Sequence, residues 1–274
     1  MEEGLQARYL RILGAARKRP SEASLREIVG AHLARVPFEN VSKLHRWRHE
    51  GLASPPDLDL YLKGIEESGF GGTCYANNYH LSCLLKSLEY DADLSGADMS
   101  RPNAHLVIRV RLDGREWLVD AGYAAPFREP LPMDLDTDQV VAWGSDRYVL
   151  APKDATGRSR MTMFRNGERL HGYVVNPEPR RIGDFDEAIA DSFRPASTFM
   201  NAILLARFGP QRSFVLHNLT LVETEGRGWS VRRLRDRAEL CDAAHHHFGM
   251  PRKLVESVLD GLPSLLDTWT PASE

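Results

Sequence analysis

One cysteine stands where a folded chain could activate its thiol. Cys74 follows a glycine-rich stretch (69–73) and lies at, or just before, the start of a segment with leucines at helical spacing. Glycines let the backbone turn tightly and let bulky groups approach the thiol. Unpaired N–H groups and the dipole at a helix N-terminus favour an anion. The pattern therefore predicts a stabilised thiolate at Cys74, whose own N–H could help to hold an oxyanion.

A histidine and an aspartate stand on two strand-like runs, 104–112 and 115–123, with Asp-Gly at 113–114 between them. Asp-Gly is the strongest short hairpin signal, because both turn residues take positive φ. Each of the two residues lies in an apolar run, where an isolated charge would be costly. On the predicted hairpin, His105 and Asp120 are either a bonded pair or ordinary surface residues.

The two-residue turn fixes the register of this hairpin. It places Leu112 opposite Arg115, and the same count places Asp120 opposite Val107. His105 is two residues before Val107, so His105 and Asp120 share a face as diagonal neighbours, about 7–8 Å apart at the backbone. A one-residue bulge would break this deduction. In the unbroken register the two side chains can share a hydrogen bond, and Cys, His and Asp together are the general arrangement of an activated nucleophile.

The elements that must position these residues change in kind along the chain. Apolar positions at helical spacing predict helices near the start, over 5–17, 25–33 and 58–67. β-branched and aromatic runs after the hairpin predict strands over 139–143, 147–150, 160–164 and 169–175. The chain then passes through a mixed segment (182–208), a second predicted hairpin (213–234) and closing helices.

This order predicts an α+β protein in three parts. Residues 1–90 are expected to form a helical bundle that carries Cys74. Residues 91–195 are expected to form a central antiparallel β-barrel that carries His105 and Asp120, and residues 196–274 an α/β lid.

Composition excludes several classes of protein. The 274 residues are 42% hydrophobic and 27% charged, with a net charge of -3, so we expect no nucleic-acid partner. No run approaches 18 apolar residues and the start lacks a signal-peptide core, so we expect no membrane span and a cytoplasmic location. The odd, widely spaced cysteines predict free thiols, with Cys83 and Cys241 as small apolar core residues. Histidines 245–247 diverge by about 100° on a helix, so no metal site is expected.

Several ordered motifs make the chain resemble the arylamine N-acetyltransferases. The similar segments are HLARVPFENVSKL (32–44), GGTCYANN (71–78), AHLVIRV (104–110), WLVDAGYAAPFREPLPM (117–133), SFRPASTFMNAILLARF (192–208) and LHNLTLVE (216–223). The resemblance covers most of the chain. It implies a papain-like cysteine-protease core, with Cys74 as nucleophile, His105 as general base and acid, and Asp120 as the group that orients His105.

The resemblance also implies substrates and a reaction. Acetyl-CoA would donate its acetyl group to Cys74, and an aromatic amine or hydrazine would then take it, with no tightly bound cofactor. Phe38, Tyr123 and Phe127 match the family's pocket region and would flank a planar ring; each is equally typical of a core residue. The basic cluster at 43–50 could meet CoA phosphates or be an exposed turn.

The sequence departs from the family pattern beside the cysteine. Phe70 stands where the family usually has an arginine, and Ala76 where it commonly has a glutamate or glutamine. Glu39 would then need a new partner, for which Arg35 and Lys43 are the candidates. The loss of both charges indicates a repacked loop.

Three other functions are consistent with the same residues. A hydrolase or transglutaminase-like enzyme would form an acyl-cysteine from an amide. An amide synthase, as some relatives of the family are, would act on a biosynthetic acyl chain. A binding protein without activity is the third alternative. Acetylation of Cys74 by acetyl-CoA alone, reversed by an arylamine, separates the expected enzyme from these.

Overall fold

The N-terminal part of the chain is helical. A computed structural model describes residues 1–226, 228–262 and 265. The helices before the first long strand are α1 (Glu3–Leu13), α2 (Glu22–Arg35), α3 (Val41–His45), α4 (Leu58–Ser68) and α5 (Cys74–Ser87), and a π-helical turn, Arg46–Glu50, continues α3. Ser21 caps α2 through the N–H of Ser24 at 3.2 Å. Helix α2 ends two residues before Pro37, because the residue that precedes a proline avoids the helical region.

The central part is one antiparallel sheet. Its strands are β2 (Asp91–Asp98), β3 (His105–Leu112), β4 (Arg115–Val119), β5 (Leu131–Pro132), β6 (Gln139–Trp143), β7 (Asp146–Leu150), β8 (Ser159–Arg165) and β9 (Glu168–Arg180). They lie side by side in the order β5-β4-β3-β2-β9-β8-β7-β6. The predicted α+β class with central antiparallel β-structure is confirmed.

A second sheet joins the N-terminal helical part to the C-terminal part of the chain. A short strand, β1 (Phe38–Glu39), pairs with β10 (Leu204–Phe208) from the C-terminal part. The sheet continues antiparallel through β11 (Arg212–His217), β12 (Thr220–Glu225) and β13 (Gly228–Arg233). The remaining helices are α6 (Asp186–Ser192), α7 (Thr198–Asn201), α8 (Arg237–Phe248) and α9 (Arg252–Leu259), with a 3-10 turn at Ile182–Phe185.

Two apolar clusters hold these layers together. The larger one packs α1, α2, α4 and α5 against the central sheet, with Leu81, Leu84 and Leu85 of α5 fully buried against it. The smaller one packs α8 and α9 against the second sheet. Helix α5 therefore lies directly on β3, which carries His105, and on its neighbour β2, and this packing fixes the position of Cys74 relative to His105.

The predicted hairpin is confirmed in its register. Leu112 lies opposite Arg115, and the pairing continues without a bulge to Ile108 opposite Val119. Asp113 and Gly114 take φ of 52° and 75°, as the turn requires. The four strands predicted after the hairpin are confirmed as β6 to β9, although β9 runs five residues further than expected. Strand β2 was not predicted.

No helix in the described part of the chain is both long and apolar enough to span a lipid bilayer. The three cysteines are free thiols, as predicted.

Candidate active site

Cys74 is the first residue of α5, in the position that the sequence predicts. The glycine loop before it lies against the segment around β1. A Cβ at Gly71 would stand 1.9 Å from the carbonyl oxygen of Pro37, and the N–H of Glu39 donates to the carbonyl of Gly72 at 3.1 Å. Glycine is needed at position 71 because the backbone of Pro37 approaches it too closely for any side chain. This contact holds the loop, and with it the start of α5, in place.

His105 and Asp120 are hydrogen-bonded, so the predicted pairing is confirmed. His105 Nε2 lies 2.9 Å from Asp120 Oδ2, and the two residues are only 2% and 1% exposed. Cys74 is the other side chain that raises the pKa of the His105 imidazole, through hydrogen bonding and charge. The structure therefore brings together all three residues that were singled out for a nucleophile, a base and an orienting carboxylate.

The carboxylate of Asp120 has further donors. The Tyr173 hydroxyl donates to Oδ2 at 2.7 Å, and Oδ1 accepts from Asn78 Nδ2 and from the backbone N–H of Gly122, both at 2.9 Å. Burial raises the pKa of Asp120, but the charge of His105 and these hydrogen bonds outweigh it, and the pKa lies below its usual value. Asp120 is thus a buried, fully bonded carboxylate.

The pair sets the charge of the imidazole. Burial lowers the pKa of His105, but attraction to Asp120, its hydrogen bond and the contact with Cys74 raise it to about 10. The imidazole is therefore protonated at neutral pH. An imidazolium beside a thiol at a helix N-terminus stabilises the thiolate, so the geometry suits attack by sulfur on a carbonyl carbon.

Two of the residues around Asp120 were not assigned a role by sequence reasoning. Asn78 stands four residues after Cys74, so both lie on one face of α5, and this spacing was an available signal. Tyr173 lies on β9, far away in sequence, and nothing local in the sequence connects it with Asp120.

Gly122 packs closely against the start of α5, because a Cβ at this position would stand 2.5 Å from Cys74 Cα.

The three residues proposed to flank a planar ring are placed differently. Tyr123 is half-buried, with its ring centroid 5.6 Å from that of His105. Phe127 is buried and stacks on Tyr123 at 6.2 Å. Phe38 is buried on the other side of the nucleophile loop and packs edge-on against Phe199 at 5.7 Å. Only Tyr123 thus lies directly beside His105.

Comparison with known proteins decides the family. A sequence model of the family described as N-acetyltransferase matches residues 23–255. The chain belongs to the arylamine N-acetyltransferase family. It is 32% identical over 187 residues to the pineal gland isozyme NAT-10 of Gallus gallus, an arylamine N-acetyltransferase; the match covers 59% of this chain and 62% of that protein. The chain thus spans about three-fifths of this curated relative.

Two further relatives extend the comparison. Proansamycin X synthase of Amycolatopsis mediterranei is 26% identical over 182 residues, covering 62% of this chain and 66% of the synthase. The solved arylamine N-acetyltransferase of Salmonella typhimurium superposes with a TM-score of 0.80 at 16% identity, over 96% of this chain and all of that one. This last likeness shows a shared fold.

Where the chain departs from the arylamine N-acetyltransferase pattern beside the cysteine, Glu39 has local hydrogen-bond donors and a different cation near it. The Glu39 carboxylate accepts from the N–H of Ser42 at 2.8 Å and from the N–H of Gly71 at 3.0 Å. Burial raises the pKa of Glu39, and Arg46 is the cation that opposes this effect. Arg46 is 4% exposed, and its guanidinium carbon lies 5.6 Å from the centroid of the Phe70 ring. A cation from the turn after α3 thus stands near Phe70, which replaces the family's usual arginine.

The predicted partners of Glu39 were therefore wrong. Arg35 turns away and donates to the carbonyl of Ile12 at 3.4 Å, and Lys43 donates to Ser192. A spacing of four residues suggested these two, whereas Arg46, seven residues after Glu39 in the turn that continues α3, is the cation that acts on Glu39. The basic cluster at 43–50 is not simply an exposed turn, because Arg46 is buried and Arg48 donates to the carbonyl of Gly261 at 3.0 Å.

Proposed function

We propose that this protein is an arylamine N-acetyltransferase that moves an acetyl group from acetyl-CoA to an aromatic amine or hydrazine through an acetyl-cysteine at Cys74. The observation that carries this proposal is the buried His105–Asp120 hydrogen bond beside the Cys74 thiol, in a chain of this family. The proposed roles are nucleophile for Cys74, proton carrier for His105 and orienting group for Asp120.

The first half-reaction loads the enzyme. The Cys74 thiolate attacks the thioester carbonyl of acetyl-CoA, and a new carbon–sulfur bond forms as the bond to CoA breaks. His105 gives its proton to the departing CoA sulfur, which leaves as the free thiol. The N–H groups in the first turn of α5 have no partner within the helix, and that of Cys74 supports the oxyanion.

The second half-reaction unloads it. Loss of the proton to CoA leaves His105 neutral, and the thiolate that helped to keep it protonated has become an uncharged thioester. The amine nitrogen attacks the acetyl carbon, His105 takes the proton from that nitrogen, and the Cys74 thiolate leaves. The resting ion pair is then restored, so atoms and charges balance over the two steps.

The amine pocket, the division into domains, the lack of a bound cofactor and the cellular location are also part of this proposal. Tyr123 lies beside His105 and would contact the ring of the amine directly, with Phe127 stacked behind it and Phe38 on the other side of the loop. We keep the division into 1–90, 91–195 and 196–274, of which 227, 263, 264 and 266–274 lie outside the described residues. Acetyl-CoA acts as a substrate, without a tightly bound cofactor, and the enzyme works in the cytoplasm.

A second candidate function is amide synthesis on a larger acyl chain. The match to proansamycin X synthase favours it, and so does the repacked loop at Phe70 and Ala76. The same acyl-cysteine chemistry would serve, with a different acyl group. Failure to turn over simple arylamines, combined with loading of Cys74 by longer acyl-CoAs, would favour this function.

Mass spectrometry of the intact protein tests the proposal. Acetyl-CoA alone should add one acetyl group, located at Cys74 after proteolysis, and an added arylamine should remove it while the acetylated amine appears. The Cys74→Ala protein should gain nothing. A wild-type protein that stays unmodified with acetyl-CoA, or that is acetylated equally without Cys74, would overturn the proposed function.

A further inference from the structure

The Tyr123 ring, which lies beside His105, is bonded to a second histidine. Tyr123 is half-buried on the irregular segment that follows β4. Its hydroxyl is hydrogen-bonded to Nδ1 of His171 on β9, and the two rings meet edge to face with centroids 5.7 Å apart. The centroid of the His105 ring lies 5.6 Å from that of Tyr123. One aromatic ring thus contacts both the catalytic imidazole and that of His171.

His171 belongs to a strand that is paired on both sides. It lies opposite Met163 of β8, and β9 also pairs with β2. Tyr173 is two residues further along, so the two side chains share one face of β9, and the Tyr173 hydroxyl donates to Asp120. This face of β9 therefore contacts the candidate site twice, once at the orienting carboxylate and once at the ring beside the base.

The hydrogen bond runs from the phenol to the imidazole. Burial raises the pKa of Tyr123, so the phenol keeps its proton. Desolvation of the imidazole and the charge of Arg165 lower the pKa of His171, although the residue is exposed in part. The imidazole is therefore neutral at neutral pH and can accept at Nδ1. Within the described part of the chain neither side chain makes another hydrogen bond, so this bond fixes the hydroxyl end of Tyr123.

The rest of the Tyr123 ring is held only by other rings. Phe127 stacks on it at 6.2 Å, and Tyr148 and Tyr173 meet it edge-on at 6.5 and 5.2 Å. Contacts between rings tolerate a range of offsets and angles, whereas a hydrogen bond weakens steeply outside a narrow range of distance and direction. The bond to His171 is therefore the contact that sets the orientation of Tyr123.

We propose that His171 is a positioning residue for the second half-reaction: it holds the Tyr123 ring where an aromatic amine packs against it, and so favours aromatic amines over acceptors without a ring. This inference rests on the proposed function. The bond changes stay the same, because the amine nitrogen bonds to the acetyl carbon, the bond to the Cys74 sulfur breaks, and His105 takes the amine proton. His171 acts on these atoms through Tyr123, by orienting the attacking nitrogen.

A chase of the acetyl-enzyme with two acceptors tests this role. Cys74 is loaded with 4-nitrophenyl acetate, an activated ester without a CoA moiety, and the excess is removed. Intact-protein mass spectrometry then times the loss of the acetyl group to 4-methylaniline or to hydrazine itself, which has no ring. His171→Leu should lower the ratio of the two rate constants, aniline over hydrazine, by about two- to tenfold, the net worth of one hydrogen bond. His171→Asn, which keeps an acceptor near the position of Nδ1, should retain most of the ratio.

A double-substitution cycle shows whether His171 acts through Tyr123. Tyr123→Phe should lower the ratio by a similar factor, and His171→Leu added to it should lower the ratio no further. A general disturbance of β9 would instead slow both acceptors alike, because both react at the same acetyl group. Leu170→Ala is the matched control, since Leu170 is the neighbouring residue on β9 and is exposed; it should leave the ratio unchanged.

Two results would overturn the inference: a ratio that is unchanged in His171→Leu, or single effects of His171→Leu and Tyr123→Phe that multiply in the double variant. Failure of the proposed function has a different signature. A protein that is loaded by 4-nitrophenyl acetate but not by acetyl-CoA would sink the transfer from acetyl-CoA, and the chase would still show whether His171 favours aromatic amines.

Discussion

Asn78 lies one helical turn after Cys74, and its side-chain amide donates to Asp120 Oδ1 at 2.9 Å. The same side chain donates to the carbonyl of Leu106 and accepts from the N–H of Ala121, both at 2.7 Å. One buried amide therefore ties the helix that carries the thiol to β3, which carries His105, and to the segment after β4, which carries Asp120. The relative placement of the three residues depends on this link.

Replacing Asn78 should impair acylation beyond its effect on stability. Asn78→Ala leaves buried groups without partners, each at about 1–3 kcal/mol, and frees Asp120 to turn. Asn77→Ala is the matched control, since Asn77 is equally buried and bonds to Pro37 and Ala121 but not to Asp120. Both variants should unfold at lower denaturant, but only Asn78→Ala should slow acetylation of Cys74 strongly. Equal slowing would show that Asn78 acts through stability alone.

Tyr173 should act on the reaction through Asp120. Its hydroxyl donates to the same oxygen that His105 contacts, and its ring centroid lies 4.8 Å from the imidazole. Tyr173→Phe removes a hydrogen bond to a charged group, so kcat/KM should fall by roughly ten- to a hundredfold, and the pKa of His105 should shift. The pH profile of kcat/KM is the readout. A lower rate with an unchanged profile would mean that Tyr173 only supports packing.

Two buried histidines should make the fold sensitive to acid. Burial lowers the pKa of His32 to about 3 and that of His80 to about 4. Both are neutral in the folded protein at pH 5, whereas unfolded histidine, with a pKa of about 6.5, takes up a proton. The stabilisation is fully present above pH 6.5 and is lost as pH falls towards 4, by about 1.4 kcal/mol per pH unit for each group.

Urea unfolding at pH 7 and pH 5 measures this effect. His80→Gln should reduce the loss of unfolding free energy between the two pH values, whatever its effect at pH 7. His246→Gln, at an exposed position of α8, serves as the control and should change neither value. A pH dependence in His80→Gln as steep as that of the wild type would contradict the assignment.

Gly122 should tolerate no side chain. A Cβ there would stand 2.5 Å from Cys74 Cα and 2.6 Å from Asn78 Nδ2, so Gly122→Ala must displace α5 from the hairpin. We expect loss of Cys74 acetylation and a fall in melting temperature. Gly4→Ala is the contrasting substitution, because nothing lies within 4 Å of its Cβ on α1, and alanine there should be neutral or stabilising. Full activity in Gly122→Ala would refute this packing.

The hairpin of β3 and β4, and the placement of His105 and Asp120 on it, could be predicted because they depend on local sequence patterns. The Asp-Gly turn and the two-residue period fix the register, so the sequence placed His105 and Asp120 on one face of the hairpin, and the structure shows that they are bonded. Strand β2 was missed because its segment, DADLSGAD, contains three aspartates, a serine and a glycine, which are poor strand formers. Its place between β3 and β9 imposes the strand.

Contacts that depend on tertiary packing could not be predicted from such local patterns. The role of Tyr173 depends on how β9 packs beside β2, and the cation near Glu39 depends on where the turn after α3 folds back. A spacing of four residues suggested Arg35 and Lys43 instead, but spacing of this kind brings side chains together only within one helix, and Arg35, Glu39 and Lys43 belong to α2, β1 and α3. The residues that surround the candidate site could thus be recognised only once the tertiary contacts were known.

The most direct test of the central claim compares the three thiols of this chain. Burial raises the pKa of Cys83 and of Cys241, to about 11 for the latter, whereas His105 holds a proton beside Cys74. With limiting iodoacetamide at about pH 6.5, peptide mass spectrometry should find Cys74 alkylated far ahead of the other two, and His105→Gln should remove this lead. Alkylation of Cys74 no faster than that of Cys83, or a lead that survives His105→Gln, would contradict activation by the His105–Asp120 pair.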